Sequence, residues 1–175
     1  MKIASLLVVA LVALVPVFAI ADDPLVKFKG GVGVDPVSNV AGTVNADGTF
    51  PNVIRNVVRG VNPPGQLWMI ADLRAVVKAD GRIKVDGDGL LLAGGNGIGT
   101  NAGASVFATL ICEAVAPFTL RNTTLTGVPL EANGDFQIDD VLSPAPPAVC
   151  ASPALLIRNA ANQAWFAAGI VKHDD

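Results

Sequence analysis

The chain has 175 residues, twelve basic and fifteen acidic side chains, one histidine and no tyrosine, and 51% of it is apolar. A lone histidine, His173 near the end of the chain, leaves no material for a multi-histidine metal centre or for a Ser-His-Asp or Cys-His catalytic set. A formal charge of −3 with no basic patch evident along the chain speaks against nucleic acid as a partner, and the scarcity of aromatic residues speaks against a transmembrane barrel with its aromatic girdles.

The first residues read as a leader. Lys2 precedes an apolar run, Ile3 to Ile20, broken by Pro16 and closed by Ala19-Ile20-Ala21, after which Asp22-Asp23-Pro24 turns abruptly acidic. Such a run of ~18 residues could also serve as an uncleaved membrane anchor. The small-residue cleavage site and the acidic turn argue instead for a signal peptide over residues 1–21 and a single domain over 22–175, secreted or periplasmic, with no transmembrane segment in the mature part.

From Leu25 the periodicity is that of strands. Leu25 to Lys29 runs into Gly30-Gly31-Val32-Gly33, where glycines predict a bulge or a close backbone approach. One turn recurs as Ala46-Asp47-Gly48, Ala79-Asp80-Gly81 and Ala132-Asn133-Gly134. A three-residue loop with the glycine left-handed keeps one face apolar at each copy, pairing Val77 with Ile83, Ala75 with Val85 and Arg74 with Asp86. The same choice pairs Val44 with Phe50, Leu130 with Phe136 and Val128 with Ile138. The longest hairpin is expected over 67–79 and 82–93, a mobile glycine-rich loop over 94–103, and further strands over 118–126, 154–158 and 164–172. Asn52 to Gly60 fits either a helical turn or a strand. The stretch 104–116 is apolar on both alternating faces, so it should be a central strand covered on both sides. Four prolines between Ser143 and Pro153 predict an extended connection.

These elements make an all-β protein of about eight or nine strands, an antiparallel β-sandwich or a small closed β-barrel, hairpin-rich, with the sandwich preferred. Two cysteines in an exported chain should pair, so Cys112 and Cys150 are expected as one disulfide worth ~4 kcal/mol, with unlinked buried thiols as the competing reading.

Few residues offer chemistry. Glu113, within the apolar central stretch, would have a raised pKa if desolvated and could act as acid, base or ligand hook; the competing reading pairs it with an arginine near the strand end. Asp72 and Arg74 alternate with Trp68 and Ile70 and could line a polar cavity, although such alternation more often marks a solvated sheet face. Trp68, Arg74 and Glu113 are therefore the candidate ligand contacts, and Glu113 and Asp72 the weak catalytic candidates. Arg55 and Arg59, four apart, could clamp an anion or pair structurally. Asp86-Gly87-Asp88-Gly89 and Gly30 to Ser38 resemble fragments of calcium loops, neither complete, so no metal and no cofactor is expected. Trp68 and Trp165-Phe166 read as core, and Asn122-Thr123-Thr124 is a glycosylation sequon.

The order Arg59-Gly60, Pro64-Gly65, Trp68, Phe107-Ala108, Cys112, Pro147, Cys150, Pro153, Trp165-Phe166-Ala167 resembles a group of small secreted all-β bacterial proteins with no assigned activity. The resemblance implies export, an all-β fold and a Cys112–Cys150 disulfide, and it carries over no catalytic residue. The functional expectation is a non-catalytic β domain with a binding or structural role in the envelope or extracellular space. The alternatives are a β-barrel holding a small apolar ligand and an acid–base isomerase or lyase built on a buried carboxylate.

Overall fold

The computed structural model describes residues 23–49 and 51–173. The leader and Phe50, the expected partner of Val44, lie outside the described residues. The strands are β1 (Pro24–Gly33), β2 (Val37–Ala41), β3 (Asn52–Arg55), β4 (Trp68–Met69), β5 (Asp72–Lys78), β6 (Arg82–Asp88), β7 (Leu91–Leu92), β8 (Ser105–Ile111), β9 (Arg121–Asn122), β10 (Val128–Pro129), β11 (Phe136–Val141), β12 (Ala154–Asn159) and β13 (Trp165–Lys172). There is no helix among the described residues.

The main sheet is antiparallel, in the order β10-β8-β12-β13-β1-β5-β6-β11, with β9 also on β8. Its two end strands are joined by the Glu131–Asp135 reversal, and the seam is stapled where Asn122 and Ser143 exchange backbone hydrogen bonds of 2.9 and 2.8 Å. The sheet therefore almost closes on itself, and the architecture is a near-closed barrel instead of the preferred sandwich. β2 with β3, and β4 with β7, form small two-stranded additions.

The three repeated turns fold alike. Gly48, Gly81 and Gly134 take φ of +84°, +90° and +86°, and each amide donates to the carbonyl three residues earlier, at 3.0, 3.0 and 2.9 Å. The side-chain oxygen ahead of each glycine accepts from the amide two residues on: Asp47 from Thr49, Asp80 from Arg82 and Asn133 from Asp135. At the second turn the expected register is found in full, with Val77 opposite Ile83, Ala75 opposite Val85 and Arg74 opposite Asp86.

The third turn forms, but its arms part. Val128 pairs with Val106, and Phe136 and Ile138 pair with Gly87 and Val85, not with Leu130 and Val128. Barrel closure claims those edges, because each arm finds a longer partner on its other side. The long hairpin is likewise interrupted. The amide of Ala71 donates to Asp88 at 2.9 Å and that of Leu90 to Gly134 at 2.9 Å; beyond this gap the arms resume the expected register, with Trp68 opposite Leu92 and Met69 opposite Leu91, as a separate two-stranded piece. The strand expected over 118–126 shrinks to β9. Residues 52–55 resolve as strand.

The barrel has two unlike walls. Strand β8 is buried on both faces, as its pattern requires. One face turns to the barrel interior, and residues 56–69 cover the other. Trp68 stacks on Phe166 at 3.9 Å, Trp165 Nε1 donates to Asn56 at 2.9 Å, and the Arg59 guanidinium donates to the carbonyls of Ile111 and Ser152 at 3.1 and 2.5 Å. The Cys112–Cys150 disulfide, Cα atoms 4.7 Å apart, ties the proline-rich connection to the end of β8. The other wall, β1-β5-β6-β11, alternates buried and exposed residues through β5, β6 and most of β11 and is bare on its outer side.

The interior is filled by Leu73, Val77, Ile83, Val85, Leu110, Leu155 and Ile157, each at most 1% exposed. Packing is tight enough to dictate glycine. A Cβ at Gly87 would stand 2.2 Å from the Phe136 ring lying across it, and one at Gly33 would stand 2.1 Å from the Trp68 carbonyl oxygen. The bulge expected in β1 is present between Phe28 and Gly31.

Candidate functional site

The residues singled out by sequence do not converge. Glu113 leaves β8 beside Arg121, whose Nη2 donates to Oε1 at 2.8 Å and Nη1 to Oε2 at 3.4 Å; the Thr119 amide adds a bond of 3.2 Å. Arg121 side-chain hydrogen bonding outweighs desolvation and lowers the Glu113 pKa to about 2. The carboxylate is therefore held ionised, the reverse of the raised pKa that an acid needs, and it is a weak proton acceptor near neutral pH. Asp72 lies on the outer side of β5, ion-paired to Arg74 at 2.8 Å. The break after Met69 takes Trp68 off that face and into the core.

The remaining candidates have structural work. Arg55 donates to the carbonyls of Pro63 and Pro64 at 2.5 and 3.3 Å while Arg59 serves the disulfide corner, so the pair is no clamp. Asp86 and Asp88 sit in the β6 ladder opposite Arg74 and Asp72. Asn122 accepts from the Thr109 hydroxyl at 2.7 Å and Thr123 is buried, which turns the sequon inward. Arg158, buried over the Phe107 ring at 5.1 Å, donates to the Gln163 carbonyl at 2.8 Å. Burial lowers its pKa, yet guanidinium remains charged.

What gathers is lysine. On the bare wall, cross-strand pairing places Lys172 beside Lys27, Lys27 beside Val76 and Val76 beside Lys84. The next row sets Lys29 beside Arg74. A short valine between two long lysines leaves a trough, whose volume is about 480 Å³ and whose lining includes Lys27, Lys29, Arg74, Lys78, Lys84 and Lys172. Every lysine among the described residues lines it; Asp86 is its single acidic lining residue. The exposed apolar residue of the floor is Val76, with the buried Ala75 and Phe28 bordering it from below; lysine side chains around such a floor can bury their aliphatic stems while their ammonium groups stay in water. Arg74 and Lys84 keep exposed ion pairs with Asp72 and Asp139, at 2.8 and 2.9 Å. Such pairs exchange for another anion at little cost.

The expectation that the chain carries no basic patch is thus corrected. The six cations come from four strands, and Lys27 and Lys172 are neighbours only through the β1–β13 pairing. The one signal along the chain was alternation, with Lys27 and Lys29 flanking Phe28, and Lys84 between Ile83 and Val85. No protein-family model, curated protein or solved structure matches the chain.

Proposed function

We propose that this protein is an exported, non-catalytic binding domain that presents the cationic trough on its open barrel wall to a multivalent anion. The observation that carries the reading is the gathering of every lysine among the described residues onto one face of a chain with net charge −3. Cations clustered on one solvent-facing wall raise the local positive potential and so attract an anionic ligand. The disulfide fits an oxidising compartment, in keeping with the leader-like first 21 residues, and no helix among the described residues is long and apolar enough to cross a membrane. Glu113 and Asp72, each paired to its own arginine, lend no support to acid–base chemistry.

The test is calorimetric titration with inorganic tripolyphosphate at low ionic strength, on the wild type and on Lys27→Glu/Lys84→Glu. The expected result is binding that weakens as salt is added and disappears in the double variant, with an unchanged circular dichroism spectrum. Binding that survives in a correctly folded double variant, or that is missing from the wild type at low salt, refutes the reading.

A further inference from the structure

Resting on that reading, we infer that the anion is a linear acidic polysaccharide, laid across the strands of the open wall. The cations do not converge on a point, as a site for one phosphate would. They form a row, Lys172, Lys27 and Lys84 with Val76 between the last two, and a flanking pair, Lys29 and Arg74. Three strand-to-strand steps of ~4.8 Å give the row a length of about 14 Å, which suits an extended polymer carrying a charge on each repeat.

Five of the six cations are lysines. Lysine is a mobile, hydrated point charge with no fixed fork, so the trough reads charge density and not the planar geometry of one carboxylate or phosphate. The strip of floor between the charges is aliphatic and matches the C–H flank of a sugar ring whose carboxylates or sulfates project to the lysines.

The other linear or extended anions fit less well. An acidic peptide captured by a sheet usually adds as a strand, yet β1, β5 and β6 are each paired on both sides and offer no free edge. Nucleic acid strands bind by stacking bases on exposed aromatic rings, and the one aromatic residue in the lining, Phe28, is 3% exposed. An anionic membrane surface is met by projecting aromatic or large apolar residues; here the apolar floor is recessed between lysines.

The experiment is fluorescence anisotropy with labelled oligogalacturonates, as dimer, tetramer and octamer, against the wild type, Lys172→Ala, Lys84→Ala and Lys29→Ala. Poly-L-glutamate, a single-stranded oligonucleotide and vesicles containing phosphatidylglycerol serve as competitors. Affinity should rise roughly tenfold or more from dimer to octamer as successive charges engage. Lys172→Ala and Lys84→Ala, at opposite ends of the row, should each weaken the octamer several-fold while barely changing the dimer. Equal affinity for all lengths, or stronger binding of the polypeptide, oligonucleotide or vesicles than of the octamer, overturns the polysaccharide assignment and leaves the anion-binding reading standing. Failure of every anion to bind at low salt removes both.

Discussion

Glu113 leaves the most buried strand of the protein, and Arg121, with its side chain 8% exposed, lies against it. The folded carboxylate titrates at about 2, below the ~4.3 of an unfolded glutamate. The folded state thus binds fewer protons between those values. The stabilisation is complete above pH ~4.5 and is lost as pH falls toward 2. In Glu113→Gln this acid-limb loss should shrink, as read from melting temperature against pH. At neutral pH the variant should be about 2 kcal/mol less stable, because Arg121 would keep a buried charge without its anion. Its Nε already has no hydrogen-bond partner among the described residues. More broadly, arginine and lysine divide their tasks. Arg55, Arg59, Arg121 and Arg158 aim planar forks at internal oxygens, which suits a rigid five-donor group, while the lysines keep to the solvent rim.

At the scale of elements, the open wall depends on hairpins whose glycines have distinct jobs. Gly81 supplies the left-handed turn, and Gly87 supplies space. The Phe136 ring lies flat over Gly87 in the register that pairs them. Gly87→Ala should therefore cost about 3 kcal/mol through overpacking, measured by urea unfolding. Gly87→Ala/Phe136→Leu should recover part of that loss, a coupling that a double-mutant cycle isolates. A Gly87→Ala variant as stable as the wild type would mean that the ring is free to move aside. The β2–β3 hairpin contrasts with this wall. It exposes Val37, Val40, Val53 and Ile54 and pairs with no barrel strand.

Across the whole molecule, the covered wall and the bare wall are complementary consequences of one crosslink and one excursion. Residues 56–69 fold back over β8, β12 and β13, and the disulfide fastens residues 143–153 beside them, where Ser152 donates to the Cys112 carbonyl at 3.1 Å. Cys112→Ser/Cys150→Ser should lower the unfolding free energy by ~4 kcal/mol in urea titrations. Because the trough lies on the other wall, the oxidised and disulfide-free forms should bind tripolyphosphate equally well under conditions where both are folded. Unequal binding would mean that the two walls are coupled.

The sequence by itself determined the all-β class, the three turns, the two-sided burial of β8, the bulge in β1 and the disulfide. Each of these is local, or concerns the only two residues of its kind. Alternation and turn chemistry act within a few residues and leave their mark in the order of the chain. Tertiary structure alone decided which edges meet. It sent the arms of the third reversal to β8 and β6, nearly closed the sheet into a barrel, and interrupted the long hairpin between Met69 and Asp72. It also brought Lys27 against Lys172 from opposite ends of the domain. Strand partners across a barrel are chosen by the summed packing of all its edges, a quantity no short stretch contains, so the cationic trough became visible only once the sheet had closed.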